Sequence, residues 1–230
     1  MPHREPIVVI SLGGSIIAPP SGIDIDFLRA FRDCILERVR YGTRFVIICG
    51  GGSTCRAYQH AARAVTNVTN EDLDWLGIHT TRLNGHLMRT IFRDQAHPQV
   101  VKDPTRPLVW KRPVLIAAGW KPGASTDHDA VLMAKKFKAS VAINLSNIRT
   151  LFDKDPKKYP HAVPICEIGW KAFRVMVGST WEPGANVPFD PVASKLAEKM
   201  KLRVILAAGK DIKNFHAILS GKKFIGTVIG

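Results

Sequence analysis

IVVISLGGS (residues 7–15) and RFVIICGGGS (residues 44–53) decide the fold of this chain. Each is an apolar run of strand length that ends in consecutive glycines, and the segment between them has helical period. Within 26–40, Phe27, Phe31 and Ile35, with Leu28 and Val39, recur at spacings of three and four. Arg29, Arg32, Asp33 and Arg40 fill the opposite side, so one apolar stripe faces a core. A further helix is expected over 54–65. The order strand, helix, strand, helix predicts a mainly parallel sheet with helices on both faces.

The same alternation continues outward. Asn70 has the chemistry of an N-cap, with Glu71 and Asp72 in the first turn, and opens a helix that could run to Ala96 before His97-Pro98 stops it. That length is long for a globular helix, and Gly77 marks where a break is expected. Strands are expected over 114–118, 140–145 and 203–207, with a last short one from Lys223. Helices are expected over 126–137, 170–177, 191–200 and 212–219. Residues 103–113 read as an edge excursion or hairpin, because Pro104, Pro107 and Pro113 remove ladder donors. No internal repeat breaks the pattern, so one domain is expected over residues 1–230.

Composition narrows the class. With 46% apolar and 23% charged residues the chain can bury a full core. No apolar run approaches the roughly 20 residues that cross a bilayer. Residues 1–6 lack the layout of a signal peptide, which predicts a cytoplasmic protein without a membrane partner. Cys34, Cys49, Cys55 and Cys166 form no CxxC pair and read as reduced packing residues, not as a zinc site or disulfide framework. The net charge of +14 creates a field that attracts phosphates. The basic residues are dispersed and the three tyrosines lie far apart, so nucleic acid is not the expected partner.

Ligands of open parallel sheets bind beyond the carboxyl ends of the strands. Three turns should therefore converge on one crevice: 12–15, 50–53 and 119–127. Consecutive glycines let backbone N–H groups point into a concavity without a Cβ in the way. In the second turn the following helix directs its positive end at the same spot. Arg56, one helical turn later, can reach over an anion held there. The third turn, GWKPGASTD, offers hydroxyls, amides and the caps of the next helix. There is no Walker A sequence and no HRD or DFG set, so phosphoryl transfer would need a different scaffold.

Taken in order, LGGS (12–15), GGGSTCRAY (50–58), LDWLGIHTTRLNG (73–85), GWKPGASTD (119–127), LSNIRTLFDKDPKKYP (145–160), VPFDPVASK (187–195) and a terminal GTVI resemble the uridylate kinases of the amino-acid kinase superfamily, more the shorter archaeal type than the bacterial type. The resemblance covers nearly the whole chain. It implies a three-layer αβα sandwich with a mainly parallel central sheet, an acceptor-binding lobe over about 1–139 and an ATP-binding lobe over 140–230. It implies transfer of the ATP γ-phosphate to UMP with Mg²⁺, and a homo-oligomer, a hexamer. Gly51 would contact UMP, Gly52 and Arg56 the transferring phosphates, and Asp74 the ribose hydroxyls. Trp120, Lys121, Pro122, Gly123, Ala124, Ser125 and Thr126 would line the uracil site and help hold the monophosphate. Gly13, Gly14 and Ser15 would lie under the ATP phosphates, while Ser146, Phe152 and Asp155 match positions that hold the nucleoside of ATP. Asp190 matches the acid that organises the active site, making Arg56, Asp190 and Gly14 the catalytic candidates. No protein ligand to a metal is nominated.

Two departures stand out. Many superfamily members carry Lys where this chain has Ser11, so Lys195 or Lys210 becomes the candidate substitute. Arg149, Thr150 and Phe152 stand where the family has an acid, a glycine and a tyrosine. Two other readings therefore stay open: a kinase for another small phosphate or carboxylate acceptor, and a non-catalytic nucleotide- or anion-binding derivative.

Overall fold

The structure, a computed structural model, describes residues 6–178 and 187–230. Most of the N-terminal stretch read for a leader, residues 1–5, lies outside them.

The first half of the chain runs β1 (Ile7–Leu12), α1 (Gly14–Ile17), α2 (Ile25–Arg40), β2 (Arg44–Cys49), α3 (Gly52–Val65), α4 (Asn70–Phe92), β3 (Val114–Ala117) and α5 (Thr126–Phe137). The second half runs β4 (Val141–Ser146), β5 (Leu151–Phe152), β6 (Pro164–Ile165), β7 (Glu167–Ile168), α6 (Trp170–Val177), α7 (Pro191–Met200), β8 (Arg203–Ala208), α8 (Ile212–Leu219) and β9 (Thr227–Ile229). The central sheet has the order β3-β2-β1-β4-β8-β9-β7, and only β8 against β9 is antiparallel. β5 and β6 form a separate antiparallel pair.

Alternation along the strands divides the apolar side chains between two layers. Ile10, Leu12, Phe45, Ile47 and Ile143 join Phe31 of α2, Met88 and Phe92 of α4 and Phe215 of α8 on one face. Val9, Val46, Ile48, Leu115 and Val204 join Val131 of α5, Phe173 of α6 and Ala193 of α7 on the other. The expected three-layer αβα sandwich is therefore present, with both faces of the parallel strands buried as such sheets require.

Several boundaries differ from expectation. Thr69 caps α4, not Asn70: its hydroxyl accepts the Asp72 N–H, and the Asp72 carboxylate accepts the Thr69 N–H, a reciprocal capping box. α4 is unbroken at Gly77, since packing along α3 and against β2 and β3 outweighs one poor helix former. It ends at Phe92, after which Ala96 and Val101 bridge to β3, so 103–113 departs from the sheet edge without forming a hairpin. The packing role expected of the cysteines holds for Cys34 and Cys49, whereas Cys166 is exposed. Among the described residues no helix is long and apolar enough to cross a membrane.

Candidate active site

The parallel strands β1, β2, β3 and β4 all end at one edge, and there the two glycine bends touch. Gly50 N–H donates to the Leu12 carbonyl at 2.9 Å, and Ser53 N–H and Oγ both donate to the Ala18 carbonyl. A Cβ on Gly14 would lie 2.1 Å from the Gly52 nitrogen, and one on Gly52, whose φ is +71°, 2.3 Å from the Gly14 oxygen. The bends were expected to converge on one crevice. Instead their backbones are in contact and clefts open on either side.

The first cleft, about 570 Å³, is walled by the second bend, the start of α3, α4 and the loop 119–125. Gly51, Gly52, Arg56, Asp74, Lys121, Ala124, Ser125 and Thr126 line it, all nominated from sequence. The second cleft, about 220 Å³, is lined by Gly13, Ser15 and Ser146, together with Ser11, Asp127, Asn144 and Ile148. Ser15, Thr126 and Asn147 border both clefts, so they adjoin across the first bend. Arg56 Nη2 donates to Ser15 Oγ at 3.2 Å at this junction.

The remaining nominees fall elsewhere. The Trp120 indole, with Lys121 Nζ 4.2 Å from its ring centre, borders a separate cavity of about 660 Å³ behind the loop, beside Arg82 and Leu108. Pro122 lines neither cleft, and Gly14 is covered by the second bend. Phe152 pairs with Pro164 in the small sheet, and exposed Asp155 caps its own turn by accepting the Lys157 N–H at 3.0 Å. Neither borders a cleft. Lys210 is held by Asp24 at 2.9 Å, and Lys195 also lies outside both clefts, so neither candidate substitute for the missing Lys is at hand. Thr150 bonds Thr227 at 3.0 Å, which gives its hydroxyl a structural use where a glycine is usual.

Acidic groups cluster under the junction. Asp190 caps α7 with one oxygen, accepting the Val192 and Ala193 N–H groups, while its other oxygen accepts the Ser125 hydroxyl. One carboxylate thus caps a helix and holds a residue of the loop that walls the larger cleft. Asp127 is not the helix cap that its place suggests; Ser125 is. Asp127 accepts from Ser11 Oγ at 2.7 Å and Asn144 Nδ2 at 2.8 Å, and its other oxygen accepts the Asp190 N–H at 3.3 Å. Burial pushes Asp127 up to about 6, with Asp190 adding to the rise and the Ser11 hydrogen bond opposing it. Burial likewise raises Asp129 to about 7, against the Trp120 N–H bond, and lowers His128.

α4 supplies groups that sequence reading passed over. Asn84 Nδ2 donates to the Gly50 and Gly51 carbonyls at 2.8 and 3.3 Å, fixing the second bend. Thr81 Oγ1 accepts the Gly119 N–H at 2.8 Å, and Asp74 accepts the Gly123 N–H at 2.8 Å. The signal was available: Asp74 and Thr81, seven residues apart, share one helical face.

Two joined anion-sized clefts at the strand ends of a sheet with this order are the geometry of a phosphotransferase that holds donor and acceptor end to end. The chain belongs to the amino acid kinase family, whose family model matches residues 6–208. Within that family it is similar to the uridylate kinase of Thermoplasma volcanium, 32% identical over 225 residues that cover 96% of each chain, and to that of Thermoplasma acidophilum, 33% identical with the same coverage. The crystal structure of the uridylate kinase of Archaeoglobus fulgidus superposes with a TM-score of 0.79 at 28% identity, covering 97% of this chain and 99% of that one. The UMP kinase of Bacillus anthracis, with a TM-score of 0.76 at 19% identity, shares the fold.

Proposed function

We propose that this chain is a UMP kinase that transfers the ATP γ-phosphate to UMP, giving UDP and ADP. The observation that carries this reading is the Arg56–Ser15 contact, which sets a cation of the larger cleft against the bend that floors the smaller one. In this reading UMP occupies the larger cleft, formed by the lobe at about 1–139. Gly51 lies against it, Asp74 accepts from the ribose hydroxyls, and Lys121, Ala124, Ser125 and Thr126 surround base and monophosphate. The phosphates of ATP extend over Gly13 and Ser15 into the smaller cleft, and Ser146 continues toward the nucleoside on the lobe at 140–230.

No covalent intermediate is needed. Arg56 and the amides of the second bend neutralise the equatorial oxygens of the transferring group, and positioning supplies most of the acceleration. Asp190 organises the junction by holding Ser125 while capping α7. The donor set fits Mg²⁺: the ion keeps water and phosphate ligands and needs only one or two carboxylates, and Asp127 borders the smaller cleft. When bound, Mg²⁺ would neutralise phosphate oxygens beside Asp127. The reading also takes the protein as a homo-oligomer, a hexamer, which a sedimentation measurement checks.

The test is a coupled ADP-release assay with UMP, CMP, dUMP or no acceptor, in the presence of Mg²⁺. UMP should give the fastest turnover, with only background when acceptor is left out. Faster turnover on another acceptor would replace the substrate. ATP binding with no turnover on any would leave a nucleotide-binding derivative.

A further inference from the structure

Asp129 is expensive to keep. It lies on α5 at 2% exposure, and among the described residues Oδ1 has no hydrogen-bond partner. A buried carboxylate with an unsatisfied oxygen opposes stability unless it serves something else. Its other oxygen, Oδ2, accepts the Trp120 N–H at 3.2 Å. The carbonyl of the same residue accepts from Arg82 Nη2 at 3.1 Å, and Arg82 Nε donates to the preceding Gly119 carbonyl at 3.3 Å. Ionisable side chains from two helices thus grip the N–H and the C=O of a single residue. Trp120 opens the loop in which Lys121, Ala124, Ser125 and Thr126 wall the larger cleft.

We propose that Arg82 and Asp129 are positioning residues for the acceptor: neither touches it, and together they fix the backbone from which the acceptor-binding loop departs. This inference rests on the larger cleft being the acceptor site. The grip gives a role to a costly carboxylate that directly precedes the buried apolar run from Ala130 to Ala134 in α5. It also explains why Arg82 is turned toward the loop, where its guanidinium satisfies two carbonyls that no strand pairs.

The experiment measures KM for UMP and for ATP separately, with kcat, in Arg82→Ala, Arg82→Lys, Asp129→Ala and Asp129→Asn. The two alanine variants should raise the UMP KM about tenfold or more while leaving the ATP KM within about twofold. Asp129→Asn keeps an acceptor oxygen for the Trp120 N–H and should stay within about threefold of wild type for UMP. The Arg82→Ala/Asp129→Ala pair should fall short of the product of the single effects, because both act through one residue. Equal rises in both KM values, or no change in either, would overturn the proposal. Should an alanine variant fail to fold, Arg82→Lys and Asp129→Asn still decide it, Arg82→Lys by a UMP-selective rise and Asp129→Asn by its absence. Wild-type protein that turns over another acceptor but not UMP would overturn the substrate reading, whereas the KM pattern, read with that acceptor, would still judge the grip.

Discussion

Arg56 Nη2 lies 3.2 Å from Ser15 Oγ, so a cation rooted in the helix after the second glycine bend rests on the residue that follows the first. Arg56→Ala should therefore lower kcat by a factor of about 100 or more, the usual cost of losing one transition-state donor. Single-turnover measurement of ADP release checks this, and an unchanged rate would remove Arg56 from the transfer step.

Asp74 divides its carboxylate between the loop, through the Gly123 N–H, and the open cleft. Asp74→Asn keeps one acceptor oxygen for the loop and forfeits the second. The UMP KM should rise about tenfold with kcat little changed, since ribose is held alike in ground and transition states. A loss confined to ATP affinity would mean that the clefts are assigned in reverse.

Gly52→Ala should be among the most damaging single changes in the protein. The new Cβ combines a left-handed backbone with a contact of 2.3 Å to the Gly14 carbonyl. A loss of roughly 3 kcal/mol or more is expected. Urea denaturation measures it, and a midpoint equal to wild type would mean that the bends can separate freely.

The raised carboxyls make stability pH-dependent in a stated direction. The native state holds protons on Asp127 to about pH 6 and on Asp129 to about pH 7, whereas the unfolded chain releases them near 3.8. Their contribution to stability is full below about pH 4, falls as pH rises to about 7 and is then constant. Exposed Asp72 and half-buried Asp24 and Asp103, held low by their hydrogen bonds, act oppositely and only below that window. Asp129→Asn should flatten the decline between pH 4 and 7 and stabilise the protein at pH 8 by roughly 1–3 kcal/mol. Thermal unfolding across pH tests this; a variant whose profile parallels wild type would show that Asp129 is ionised in the folded protein.

The architecture was legible because Ile7–Leu12 and Arg44–Cys49 are unbroken apolar strands that end in glycine, and because α2 carries a clear apolar stripe. α1, β5, β6 and β7 were not, since two- to four-residue elements are too short to show a period. Thr69 and Asn70 are both capping residues, and only the reciprocal bond with Asp72 chooses between them. Glycines, Arg56 and Asp74 could be placed in the site from their motifs. Asp127 and Asp129 could not, because an acid in the first turn of a helix has an ordinary explanation in the helix dipole. Their partners, Ser11 and the Trp120 N–H, are brought near only by the sheet and the loop. Trp120 itself was assigned to the acceptor by the resemblance, yet it borders the separate cavity and not the larger cleft.

Because the bends meet backbone to backbone, the spacing between the two clefts is set by the sheet that carries them. The loop 119–125 is different, for it is tethered by interchangeable side chains of Thr81, Arg82, Asp74 and Asp129. Evolution or an engineer can thus remodel what is phosphorylated while leaving how the phosphate moves untouched.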